Sequence, residues 1–293
     1  DEFPPTSTME ILNLDSNILT GSVPASMANV TSLRVIHLGL NFLSGTLPEF
    51  PPTSVVESFV ARGNLLVGTI PSSLTKLTTL SLLFLNANIL SGPLPSFSGP
   101  GGALSSLWLN DNGLLTGSME TLFTTAPTDT LSFLFLNGNR LSGTVPSTIG
   151  MFQNLAVLDL SSNLLSGTVP SEIGRMSSLL IMMVGPNRLS GTVPSELGNI
   201  SNLEFLYLTG NLRLSGRLES MIGFLSTSLL VFYAGQTSIS GSIPSDVAKF
   251  TGLWDISIED SNISGALPSE IALLPALTNL RLDRNKLHGT IPS

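Results

Sequence analysis

Enzyme chemistry needs polar groups that converge, and few residues in this chain are spaced to do so. The two histidines, His37 and His288, stand near opposite ends of the 293-residue sequence and cannot share a site. A general acid–base pair needs two titratable groups in one pocket, yet the acidic residues are scattered. The densest group, Asp255, Glu259, Asp260 and Asp283, reads as a solvated acidic edge, without the convergent oxygens of a Ca²⁺ loop. There is no cysteine, so disulfides, thiol nucleophiles and thiolate metal sites are excluded. The glycines of Ser98-Gly99-Pro100-Gly101-Gly102 lack the lysine of a phosphate-cradling loop. The expectation is no catalytic residue, no metal and no cofactor. What remains is recognition chemistry, carried by aromatic rings.

Composition narrows the partner. Twelve Lys and Arg against twenty Asp and Glu give a net charge of −8, and nucleic acid or an anionic membrane would need clustered positive charge. The longest plainly apolar stretch, Leu179 to Val184, is far shorter than the roughly 20 residues that span a bilayer. The opening residues are not expected to be a signal peptide. With 42% apolar residues there is ample material for a core.

The rings are placed by a repeat. Asn-x-Leu-Ser-Gly-x-Val/Ile/Leu-Pro recurs with its Asn at 17, 41, 64, 88, 112, 139, 163, 187, 211 and 285, and Thr237 and Ser261 take that place in two units. The spacing is 23 or 24 residues, except for 27 and 26 after Asn112 and Asn211, where one residue is inserted after the Asn and the later Pro is missing. A Leu-x-x-Leu-x-Leu frame precedes each Asn, as in Leu155, Leu158, Leu160 and Asn163. Period-two alternation makes the Leu-x-Leu segment a half-buried strand. The sharp turn after it strands backbone polar groups, which an Asn side chain can satisfy. Stacked Asn therefore form a ladder, and units ten and eleven, with Thr237 and Ser261, should be looser. The outer segment is short and broken by Gly, which predicts a 3₁₀ or single-turn helix. One unit cannot bury its own leucines, so neighbours stack into a solenoid. Twelve strands about 4.8 Å apart make a parallel sheet roughly 50–55 Å long.

These motifs resemble the leucine-rich repeat family, in the plant-type class marked by Leu-Ser-Gly-x-Ile-Pro, over essentially the whole chain. That class occurs in receptor-like kinase ectodomains and polygalacturonase inhibitors, and similar repeats are numerous in diatoms and other algae. The resemblance implies an α/β leucine-rich-repeat solenoid, a curved horseshoe or superhelix with a parallel sheet on its concave side and short 3₁₀ or irregular convex segments. It also implies an extracellular or cell-surface setting and a receptor-like or inhibitor-like role without catalysis. Plant ectodomains usually carry cysteine-paired caps; this chain has none. Glu2-Phe3-Pro4-Pro5 repeats Glu49-Phe50-Pro51-Pro52, and the sequence closes at Pro292-Ser293. The expectation is a single domain over 1–293, about twelve repeats, truncated inside a repeat at both ends.

With the core fixed by the frame, function lies in the x positions of the strands, which should face away from the core. Phe84, Trp108, Phe135, Met183, Tyr207 and Tyr233 make one column, interrupted by Asp159, and Phe133 and Phe205 lie in the next, with Leu82, Val157, Ile181 and Val231. Trp254 is also at a concave x position. Three of the four Trp and Tyr residues fall in the first column. Aromatics on a rigid accessible face are the usual make-up of a binding patch, against the structural alternative that sheet surfaces favour such residues. A protein or peptide is the expected partner, with carbohydrate second and the oligomeric state open. The rival reading is a structural or ice-binding surface on the Ser/Thr flank (Thr46, Thr69, Thr144, Thr168, Thr192 and Thr290), which Pro93, Arg217 and Ala266 interrupt. Sequons at Asn29, Asn199 and Asn262 are candidate glycosylation sites.

Overall fold

The computed structural model describes residues 3–4, 6–97 and 102–292; Glu2, Pro5, Ser293 and the glycine-rich stretch at 98–101 lie outside the described residues. The chain forms two compact units, Asp1–Ser142 and Gly143–Ser293. In the first, six three-residue strands run parallel in sequence order: Ile11–Asn13, Val35–His37, Ser58–Val60, Leu82–Phe84, Ser106–Trp108 and Phe133–Phe135. The second repeats the plan with Val157–Asp159, Ile181–Met183, Phe205–Tyr207, Val231–Tyr233, Asp255–Ser257 and Asn279–Arg281.

Register follows the frame. The middle residue of each strand pairs with the middle residue of the next, Ile36 with Phe59, Leu83, Leu107 and Leu134 in turn, all fully buried. Leu158, Met182, Leu206, Phe232 and Ile256 do the same in the second unit, none more than 4% exposed. Because strand side chains alternate, this places the flanking residues on the opposite face.

The turn after each strand is sharper than the sequence suggests. The residue before the ladder position has φ near +50 to +80° in every coil except at Pro186, and most of these residues are not glycine, Leu40 and Ala87 among them. A left-handed non-glycine residue costs roughly 1–2 kcal/mol, so something must hold it. The Asn ladder does. Asn64 donates to the carbonyls of Leu38 (3.0 Å), Ala61 (3.1 Å) and Arg62 (3.3 Å), and its Oδ1 accepts the Leu43 N–H at 2.9 Å. One side chain thus closes its own turn and ties it to the preceding coil. The insertion after Asn112 breaks one such tie, leaving Oδ1 of Asn139 buried without a partner.

The two substituted rungs are weaker, as expected. Thr237 donates to the Ala234 carbonyl at 2.8 Å, but Ser261 makes only contacts of 3.3–3.4 Å, to Ala234, Glu259 and Thr237.

Outer segments are single α-turns in the first unit (Ala25–Ala28, Ser72–Thr75) and 3₁₀ turns in the second, such as Ser171–Arg175. The exceptions are α-helices at Glu120–Thr125 and Leu218–Phe224. They occupy the two coils of 27 and 26 residues that lack the Pro, and the extra residues give the turn room to grow. A second row of parallel strands, including Phe42–Thr46 paired with Leu65–Gly68 and Arg188–Thr192 paired with Arg213–Arg217, forms the flank.

Replacing Asn64 by Ala leaves buried backbone groups unpaired at about 1–3 kcal/mol each. It should therefore lower stability by about 3 kcal/mol, and Ser261→Asn should raise it by about 1 kcal/mol. Urea unfolding followed by circular dichroism checks both, and equal midpoints for the three proteins would remove the ladder from its structural role.

Candidate binding faces

The structure gathers the candidate rings into two groups, one in each unit. In the first, Phe84, Trp108 and Phe135 are register neighbours. Phe84 and Trp108 stack with centroids 4.5 Å apart and planes at 23°, and Trp108 meets Phe135 edge-on at 5.0 Å. All three are half-buried, and Phe133, one column over, is 43% exposed. Nε1 of Trp108 is buried without an acceptor, and so are the carboxamide oxygens of Asn86, Asn110 and Asn137 without donors, each two residues beyond a ring. Sequence reasoning passed over these Asn because only the ladder Asn belong to the repeated motif.

In the second unit Met183, Tyr207 and Tyr233 are in register, and the tyrosines pack edge-to-face at 5.0 Å and 85°. Phe205 lies between Ile181 and Val231 in the neighbouring column, half-buried. Val231 and Val157 in that column are buried, against the expectation of an open apolar column. Trp254 is exposed but precedes its strand and makes no ring contact with the tyrosines, so it stands apart from this group.

Two acidic residues differ from the expectation. Asp159, read as a ligand-orienting or solubilising group, is 6% exposed and accepts the Ser161 N–H (2.9 Å) and hydroxyl (2.6 Å), so it closes the turn after its strand. Asp255, read as part of a solvated edge, is only 3% exposed. Its Oδ2 accepts the Tyr233 hydroxyl at 2.6 Å and the Asn279 amide at 3.2 Å. The hydrogen bond to Asp255, with burial and the carboxylate's charge behind it, raises the Tyr233 phenol above its ordinary value, while Arg281 pulls the other way. Burial, and then the charge of Asp255, raises Tyr207 as well.

His37 shares a hydrogen bond of 2.9 Å with the Ser58 hydroxyl. Of the sequons, Asn29 and Asn199 are exposed and Asn262 is half-buried in the Asn262–Gly265 strand. Among the described residues no three His, Asp or Glu are grouped to hold a metal ion, and no helix is long and apolar enough to cross a membrane.

Coils built from a leucine strand, an Asn-held turn and a short outer helix define a repeat solenoid whose sheet presents one face outward. The sequence profile of the Leucine Rich Repeat family matches residues 130–152 and 154–176. The chain thus carries leucine-rich repeats, and as a whole it is similar to plant-type leucine-rich-repeat structures. Among solved structures it is similar to a TDR receptor, with TM-score 0.86 and 29% identity over 97% of this chain and 48% of the other. It is also similar to the plant peptide hormone receptor RGFR1 in complex with RGF2, with TM-score 0.80 and 29% identity over 98% and 50%. A plant ice-binding protein aligns with TM-score 0.71 and 26% identity over 96% of this chain and 82% of its own. The chain thus spans about half the length of the two receptor structures. No curated protein matches it in sequence.

The tyrosine shifts have a defined sign. A phenol raised in the folded state adds stability below the unfolded value of about 10 and loses it as pH climbs through the folded value. In an ultraviolet titration of the two tyrosines, both should ionise above free tyrosine, and Asp255→Asn should bring Tyr233 down. Unchanged titration in the variant would remove Asp255 as the cause.

Proposed function

We propose that this chain is a non-enzymatic recognition module of an extracellular or cell-surface receptor-like protein, binding a peptide or protein on its outward sheet faces. The observation that carries this reading is the row of half-buried rings, Phe84–Trp108–Phe135, fixed on a hydrogen-bonded sheet. Rings held in place present large contact area with little entropy left to lose. The similarity to the plant peptide hormone receptor RGFR1, solved in complex with RGF2, supports a peptide as the class of ligand. Phe133 and Phe205 extend the two groups sideways, Met183 adds an adaptable edge to the tyrosines, and Trp254 is a peripheral contact. N-glycans on the exposed Asn29 and Asn199 fit the same setting, and Asn262 is the least accessible acceptor.

Ring geometry favours peptide over sugar. A pyranose stacks on an open ring face, whereas Phe84 and Trp108 cover each other's faces. The flank supports ice binding less well, despite the ice-binding relative. Its threonine methyls are taken up in packing: Cγ2 of Thr69 lies 2.8 Å from where a Cβ on Gly92 would stand, and Thr144 sits the same way over Gly167.

Selection of a random-peptide library on the whole chain tests the reading. Trp108→Ala and Tyr207→Ala should each weaken the enriched peptides about 30-fold, the loss expected of a ring at the centre of an interface, and Thr168→Lys should leave them unchanged. Absence of enrichment, or ice shaping that Thr168→Lys abolishes, would overturn it.

A further inference from the structure

The Tyr207–Tyr233–Asp255 group contains one polar atom that nothing in the fold uses. Asp255 is 3% exposed, and while its Oδ2 accepts two hydrogen bonds, its Oδ1 is buried with no donor. No lysine, arginine or histidine nitrogen lies within ion-pair distance of it among the described residues; the ion pairs formed are Arg34–Glu57, Arg217–Glu219, Arg284–Asp260 and Arg284–Asp283. A buried carboxylate is costly unless paired and fully bonded, and the fold supplies half of what this one needs.

The surroundings define what would complete it. Tyr233 pairs with Ser257, and Ser257 with Arg281 on the next strand; Val231 pairs with Asp255, and Asp255 with Asn279. The Tyr207 and Tyr233 rings pack together at the sheet surface, both half-buried. Their phenols are held in the protonated form, so neither brings a competing negative charge. Glu259 accepts the Ser257 hydroxyl and lies against Gly235, adding negative potential. Arg281 is the rival cation; it is exposed, acts on Tyr233, and is not among the ion pairs formed. Two aromatic rings beside a carboxylate oxygen that lacks a donor suit a planar guanidinium, which stacks on a ring and donates within its own plane.

We infer that Tyr207, Tyr233 and Asp255 form a subsite for an arginine side chain of the ligand, with the guanidinium parting the two rings and donating to Oδ1 of Asp255. The inference names the ligand group for the second unit's face and rests on the peptide-binding reading only for the source of the arginine. An acidic chain, at net charge −8, also draws a basic peptide toward it.

The chain has only two tyrosines, and both are in the subsite. Labelled with 3-fluorotyrosine, the whole chain should give two ¹⁹F signals that report on it directly. Titration with Nα-acetyl-arginine methylamide should shift both signals saturably, and the uncharged isostere Nα-acetyl-citrulline methylamide should not. Asp255→Asn should abolish the arginine shift while keeping two dispersed signals. Equal response to arginine and citrulline in the unsubstituted protein overturns the inference without relying on the variant's folding, as does an arginine shift that survives Asp255→Asn.

The peptides selected above separate this outcome from the broader reading. Peptides that bind through Trp108 but neither contain arginine nor lose at least tenfold in affinity with Asp255→Asn leave the peptide reading standing and this inference overturned. An arginine-specific shift with no peptide enriched does the reverse.

Discussion

Every coil of this protein must turn its backbone sharply at the end of a strand, inside a stack where water cannot reach. A buried amide or carbonyl left open there would cost about 1–3 kcal/mol, repeated at each coil, and the fold would fail by accumulation. The Asn rung answers this requirement with one side chain that donates to two coils and accepts from a third group. Strand register, the left-handed turn residues and the position of the outward columns all follow from where that rung sits. A rigid outward face is thus a by-product of solving a hydrogen-bonding problem in the interior.

That dependence explains what could be read in advance. Leucine frame, Asn rung and coil length are strict because each coil must match its neighbours, so residues such as Leu158 and Asn163 announce their places. The left-handed turn residues are hidden, since Leu40, Ala87 and Arg284 share no chemistry; the constraint lies in the backbone and any side chain that points outward is tolerated. The longer helices at Glu120–Thr125 and Leu218–Phe224 were foreshadowed only as irregular spacing.

The outward face was partly legible. Column membership of Phe84, Trp108, Tyr207 and Tyr233 follows from alternation alone. How the rings meet does not: whether Phe84 and Trp108 offer faces or edges depends on rotamers set by neighbours a full coil of sequence away. The burial of Asp255 was equally invisible, because it arises from Tyr233 and Asn279, 22 and 24 residues distant, folding over an acidic residue that looks solvated in the chain.

The Tyr233–Asp255 hydrogen bond joins the same two coils whose rungs are Thr237 and Ser261. On the interior side these coils are tied by the thinnest bonding of the ladder, and on the sheet side a phenol and a carboxylate clasp them. Regions with sparse internal bonding are where a native protein opens first. A guest seated on this clasp would act as a splint across the most easily breathing part of the array, so that occupancy and local rigidity rise together.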